Sequence, residues 1–436
     1  MMQKKLGFWS VLALVVGNMV GVGIFVMPSL LAPYGSLSLL GWLVSLGAAL
    51  LIALVFSKLS SILPSAGGPY AYARVGFGDF IGFQAAWTYW ISLWVGSTAT
   101  IVSTLGYISI LYPSLVINPF LNFMVGLGVI WGLTLINLIS VSFAGRFHLI
   151  ITILKILPLA LLFVFAVPHV NMENYAVINP SGKPLFMVLM EVGMLTMWGF
   201  VGLECATVPA DHVENPKRTI PLATIVGTLI VGVICISISA LVIGLVPNDV
   251  LQKTPASFAV AAENIFGPIG AILVAGTAAL GGIGSLNGWF LIQAQIPLAA
   301  ARDKLFPARF GRTTSSGTPV FGLIITAVLM SVLLGMNYSK NLIQTFNFMV
   351  TLATLSILIT YLFSVLSELM LFLEQPQKFR KRDLAKALAI SVPATLYILM
   401  AMIGAGPEIM MWGCFLFFAS TPIYILVKWQ QKQSKG

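Results

Sequence analysis

Charge is what this 436-residue chain lacks. Asp, Glu, Lys and Arg together make up 8 % of it, against roughly 25 % in an average soluble domain. A soluble chain so poor in charge cannot cover its own surface, which excludes an ordinary cytosolic enzyme and a disordered protein. Histidine is nearly absent. His148, His169 and His212 fall at the ends of apolar runs or in loops, so they do not form the His/Asp/Glu cluster of a membrane-embedded enzyme. Cysteine is equally scarce. Cys205, Cys235 and Cys414 lie far apart without metal-ligand spacing, which predicts free buried thiols and no disulfide scaffold. Neither a metal nor a cofactor is expected. Long hydrophilic stretches are also missing: segments such as 168–184, 247–266 and 299–318 are too short to fold alone. The chain therefore reads as one domain, 1–436.

What it has is apolar sequence. Hydrophobic residues make up 58 % and the mean hydropathy is +0.99. The apolar runs are continuous, not alternating, so the prediction is an all-α membrane protein and not a barrel. Crossing about 30 Å of hydrocarbon takes about 20 apolar residues. Twelve runs qualify: 8–31, 38–63, 80–111, 120–143, 149–167, 185–209, 219–246, 267–298, 319–336, 342–373, 387–405 and 408–427. The first run follows two lysines, as in a signal peptide. It continues to Leu31 without a small-residue cleavage pattern, so it is read as a retained helix.

Twelve spans place both termini on one side. Nineteen Lys and Arg then fall on that side, and three (Lys183, Lys253 and Lys340) on the other, with Lys155 inside a run. This positive-inside bias makes the termini cytoplasmic. It also accounts for the net charge of +10 through a lipid bilayer, with no nucleic-acid partner.

A helix in lipid must satisfy its own backbone, so an interruption is tolerated only where it lines a cavity. The first run contains Gly17-Asn18-Met19-Val20-Gly21-Val22-Gly23. Gly17 and Gly21 also fit a small-residue packing stripe. Gly21 and Gly23, however, leave one turn without side chains to stiffen it, and Asn18 is a mid-span polar group in need of a partner. The sixth run carries Trp198-Gly199-Phe200-Val201-Gly202-Leu203-Glu204. A carboxyl there is costly unless paired or hydrated, which makes Glu204 a functional candidate.

The two interruptions are five spans apart. An odd offset inverts the second unit relative to the first, so the expectation is a 12-helix, 5+5 inverted-repeat transporter fold. Helices 1 and 6 are broken, the repeats run approximately over 8–167 and 185–373, and two additional helices occupy 387–427. The half-helix after Gly23 offers free N–H groups to a carboxylate. The half-helix ending near Trp198 offers carbonyls to an ammonium. Together they match the head group of an amino acid.

Several segments resemble the amino acid–polyamine–organocation superfamily. They are Gly17 to Phe25 with Pro28, Pro64-Ser65-Ala66-Gly67-Gly68-Pro69-Tyr70, Glu214-Asn215-Pro216-Lys217-Arg218 and Ala299-Ala300-Ala301-Arg302-Asp303 with Phe306-Pro307. Gly284-Ser285-Leu286-Asn287-Gly288-Trp289 is most similar to the basic amino acid/polyamine antiporters, a branch that includes the arginine/agmatine exchanger.

The resemblance implies a substrate site formed by Met19, Gly21, Val22, Gly23, Ser92, Ser97, Trp198, Val201 and Trp289. Amides at Gly21 to Gly23 hold the carboxylate, carbonyls near Trp198 hold the ammonium, and Trp289 stacks on the side chain. It implies gating and coupling roles for Asn18, Tyr89, Lys155, Trp198 and Glu204. Tyr89 would be an outer gate. Lys155 is a departure from the exchanger and is similar to proton-coupled and neutral-amino-acid members of the superfamily, where a lysine stands in for a sodium ion. The chain departs from the exchanger at Val22, where the exchanger has a serine, at Ser97, where it has an asparagine, and at Leu93, which replaces a small polarisable residue.

The function expected is sodium-independent exchange, across the cytoplasmic membrane of a bacterium, of a cationic amino acid or its decarboxylated amine. Proton-coupled or exchange transport of neutral amino acids is the alternative, and a non-transporting amino-acid sensor is a remote one. A twelve-helix sugar or drug facilitator would carry an Asp-Arg loop after the second span, which is absent. A homodimer is possible by analogy.

Overall fold

The computed structural model describes residues 6–63, 67–139, 163–207, 213–314, 317–338, 340–374 and 381–433. Among them the chain is helical, and its one β feature is an isolated bridge between Leu6 and Val213. Helix is what lipid demands, because each N–H finds its acceptor within the same segment. Among the described residues nine helices are long and apolar enough to cross a membrane, and two shorter apolar helices accompany them. The fifth expected span lies almost wholly outside the described residues. Each of the other eleven runs coincides with helix.

The first run is divided. Helix α1 (Phe8–Met19) ends at Val20, Gly21 is extended, a 3-10 turn occupies Val22–Phe25, and α2 (Met27–Leu31) follows. The next helices are α3 (Ser38–Ile62), α4 (Pro69–Leu111) and α5 (Pro119–Ile139). The sixth run is divided in the same manner. Helix α6 (Leu185–Met197) leads to a 3-10 turn at Trp198–Phe200 and to extended Val201. Beyond it come α7 (Pro216–Leu245), α8 (Ser257–Arg302), α9 (Val320–Asn337) and α10 (Leu342–Glu374). The chain ends in α11 (Lys381–Gly404), α12 (Pro407–Ala419) and α13 (Thr421–Gln433).

Two boundaries differ from the sequence expectation in a related way. α4 and α8 begin about ten residues before their apolar runs and bend where those runs start, at Gly78 (φ 82°) and Gly267 (φ 68°). The last run is two helices, not one.

α4 is the axis of the molecule. It packs along α10 and α8 and is buried nearly all round, whereas α12 and α13 are mostly exposed. α1 and α3 both pack on α7. Cys205 and Cys235 are buried free thiols as expected, but Cys414 is exposed. It lies on α12, much of whose surface faces outward, so the expectation of a buried thiol fails there.

Candidate functional site

The two interruptions meet. A central cavity is lined by Asn18, Met19, Gly21 and Gly23 from the first, by Trp198, Gly199 and Val201 from the sixth, by one face of α4, and by Ser285 and Trp289 of α8. The α4 face consists of Ser92, Leu93, Gly96, Ser97 and Thr100, a helical i, i+4, i+8 stripe with its i+1 neighbours. The cavity measures about 30 Å³, room for roughly two waters.

Trp198 accounts for the small volume. A Cβ added at Gly23 would lie 2.6 Å from its Nε1, and one added at Gly96 would overlap the far edge of the ring. The indole thus occupies space that two absent side chains leave open.

The backbone of the first interruption is partly held from outside. The Phe25 carbonyl accepts from the Tyr107 hydroxyl at 2.8 Å and from the Ser257 hydroxyl at 2.9 Å. The N–H groups that begin the Val22–Phe25 turn have no acceptor within it, as at any helix start. Two cavity-lining side chains also carry buried polar atoms without a partner, Asn18 Nδ2 and Ser92 Oγ. Ser97 Oγ instead donates to Gln293 Oε1 at 3.3 Å. Unmet donors in a cavity walled by aromatic and small residues suit a compact polar ligand with an anionic group.

Glu204 does not line this cavity. It is fully buried beside it and accepts three hydrogen bonds. Tyr89 donates to Oε1 at 2.8 Å, the Gly202 N–H donates to Oε2 at 3.0 Å, and Tyr361 of α10 donates to Oε2. Gly202 can reach back because its φ is +112°, a left-handed conformation open to glycine. Among the described residues no cation stands within ion-pair distance of Glu204. The cluster is therefore one carboxyl bridging three helical segments through two tyrosines.

Polar clasps mark each end of the molecule. At the end carrying Lys183, the Lys183 ammonium lies 2.7 Å from both oxygens of Glu191, and Tyr34 donates to Glu191 Oε2 at 2.8 Å. This joins the segment after α2 to the first turns of α6. At the other end the Glu214 N–H donates to the Leu6 carbonyl at 2.8 Å. There Arg74 pairs with Asp79 (2.8 Å) and Asp303 (3.1 Å), and Lys428 of α13 pairs with Asp79 (2.7 Å).

Of the residues singled out from sequence, Met19, Gly21, Gly23, Ser92, Ser97, Trp198, Val201, Trp289 and Asn18 line the one cavity. Val22 lies in its turn. Tyr89, for which the resemblance implies an outer gate, is fully buried and bonded to Glu204. Lys155 lies outside the described residues. Tyr361, Gly96 and Thr100 were not anticipated. The α4 stripe would have revealed the last two, while Tyr361 had no signal beyond a hydroxyl inside an apolar run.

Comparison with known proteins agrees with this geometry. The chain matches the amino acid permease family over residues 6–428. It is 31 % identical over 332 residues to the cadaverine/lysine antiporter of Escherichia coli, covering 76 % of this chain and 74 % of that one. It is 33 % identical over 397 residues to a putative arginine/ornithine antiporter of Bacillus subtilis, covering 84 % of each. To the putrescine transporter PotE of Haemophilus influenzae it is 29 % identical over 432 residues, covering 98 % of each.

Proposed function

The chain belongs to the amino acid permease family, and from that premise we propose that it exchanges a cationic amino acid for another or for its decarboxylated amine by alternating access. It is an integral multi-pass membrane protein and a transporter. The observation that carries the reading is the convergence of both helix interruptions on one cavity. The N–H groups opening the Val22–Phe25 turn face the need of a carboxylate. The carbonyls ending α6 near Trp198 meet that of an ammonium. Among the described residues no acidic side chain lines the cavity, so the positive side chain rests on the faces of Trp198 and Trp289, each contact worth ~0.5–2 kcal/mol. The names of the relatives, antiporters of lysine with cadaverine and of arginine with ornithine together with a putrescine transporter, support the same class.

The fold proposed for this function is two inverted five-helix repeats. Its support is the paired geometry: 3-10 turns interrupt runs one and six, and bends at Gly78 and Gly267 open runs three and eight. The excess of cationic residues on the side of the termini supports a cytoplasmic position for both. The Tyr89–Glu204–Tyr361 cluster then acts as a gate whose carboxyl links movement of the sixth span to that of the third and tenth. Lys155 takes the place of a coupling sodium ion.

One feature favours a second reading, exchange of neutral amino acids: the apolar Leu93 in the cavity wall. Proteoliposomes separate the two. Vesicles preloaded with lysine, arginine, ornithine, cadaverine, putrescine, leucine or alanine are given labelled lysine outside. Uptake driven by the cationic preloads is the result expected. Faster exchange with leucine or alanine replaces the cationic reading by the neutral one.

A further inference from the structure

α4 has a second working face. Opposite the stripe that lines the central cavity stand Trp87, Trp90 and Trp94, and they wall a separate cavity of about 440 Å³. Phe321 and Leu329 of α9, with Phe310 in the 3-10 turn Ala308–Gly311, complete the lining. No polar atom lines the space. Two of the indoles turn their N–H groups to protein acceptors, Trp87 to the Leu416 carbonyl at 3.0 Å and Trp90 to Thr326 Oγ1 at 3.2 Å. Water inside would find no partner, so the cavity suits apolar matter. From Phe321 to Leu329 it follows α9 for about 12 Å, at roughly 1.5 Å per residue.

The segment that carries Phe310 differs in character from the cavity. Arg309 and Arg312 flank Phe310, both are exposed, and neither has an acidic partner among the described residues. Exposed Arg302 and Lys304 stand a few residues upstream. An apolar slot whose lining includes Phe310, with an exposed arginine on either side of it in the chain, is complementary to one kind of molecule in a bilayer. We propose that this is a binding site for a single anionic phospholipid. One acyl chain lies in the slot against the three indoles, and the phosphate accepts hydrogen bonds from Arg309 and Arg312. Because α4 lines both the slot and the central cavity, the bound lipid braces the helix that carries Ser92 and Ser97.

The test uses the full chain in phosphatidylcholine nanodiscs titrated with phosphatidylglycerol, with retained lipid counted by native mass spectrometry. Wild-type protein retains one phosphatidylglycerol in preference to phosphatidylcholine. R309Q/R312Q lowers that retention on the order of thirtyfold. Leu329→Trp, which fills the slot without changing charge, lowers it at least fivefold, and Ile325→Phe repeats the test if the tryptophan variant does not fold. Melting temperatures within a few degrees of wild type show that the variants are intact. Retention unchanged in either the charge variant or the slot variant overturns the site. So does equal retention of phosphatidylcholine, and so does displacement of the lipid by millimolar inorganic phosphate, which would mark an anion site with no place for a chain.

Discussion

Gly23 and Gly96 leave a gap, and the Trp198 indole fills it. That arrangement makes the ring sensitive to a single methyl group. Gly96→Ala should unseat the indole, since its Cβ would overlap the ring, and should reduce lysine uptake at least tenfold. Unchanged uptake in proteoliposomes would show that the ring has nothing to do with turnover. Trp289 is a simpler case. Trp289→Leu removes one aromatic face, about 1.4 kcal/mol of contact or tenfold in apparent affinity, measured as the KM for uptake. Glu204 separates chemistry from shape. Glu204→Gln keeps a hydrogen-bonding group opposite Tyr89 and Tyr361 and should retain substrate binding while flattening the pH profile of transport. Glu204→Leu leaves two buried hydroxyls without their acceptor, at about 1–3 kcal/mol each. Its melting temperature should fall well below that of Glu204→Gln, and equal melting temperatures would refute the bridging role.

The half-helices are held from outside by few bonds, and these are the ones that must break if they move. Tyr34 and Lys183 meet on Glu191, joining the segment after α2 to the start of α6. A hydrogen bond to a charged group is worth about 1.5–3 kcal/mol. If it exists in one state only, its loss shifts the balance of states by tenfold or more. Tyr34→Phe should therefore raise the rate at which an impermeant thiol reagent, added on the Lys183 side, labels a cysteine placed at Thr100. A rate equal to that of the Thr100→Cys parent sinks the idea.

The same elements show what sequence could convey. Gly21, Gly23, Gly199 and Gly202 announced both interruptions, because glycines two or three residues apart in an apolar run leave a turn with few side chains to stiffen it. The bends at Gly78 and Gly267 were hidden, since a glycine just before an apolar run looks like a loop residue. Tyr361 was hidden for another reason. Its partner comes from a segment 157 residues away in sequence, and no local pattern encodes such a pairing. Cys414 misled because an apolar run does not disclose which of its faces meets lipid.

For the molecule as a whole, the energy source is the decisive question. If Lys155 takes the place of a coupling ion, uptake should be the same in sodium and in choline buffers. Lys155→Ala should nearly abolish uptake while leaving the protein inserted at wild-type levels. Sodium stimulation of the wild type, or normal turnover by the variant, removes the lysine from the mechanism.

The seated tryptophan has a consequence beyond substrate handling. A space of about 30 Å³ holds roughly two waters, too few to string a hydrogen-bonded wire from one face of the membrane to the other. Each elementary charge that slipped across would dissipate ~2.3 kcal/mol per 100 mV of membrane potential. With Trp198 between Gly23 and Gly96, the central cavity holds too little water to carry protons across by itself, so exchange through it should proceed without draining the voltage that drives other transporters.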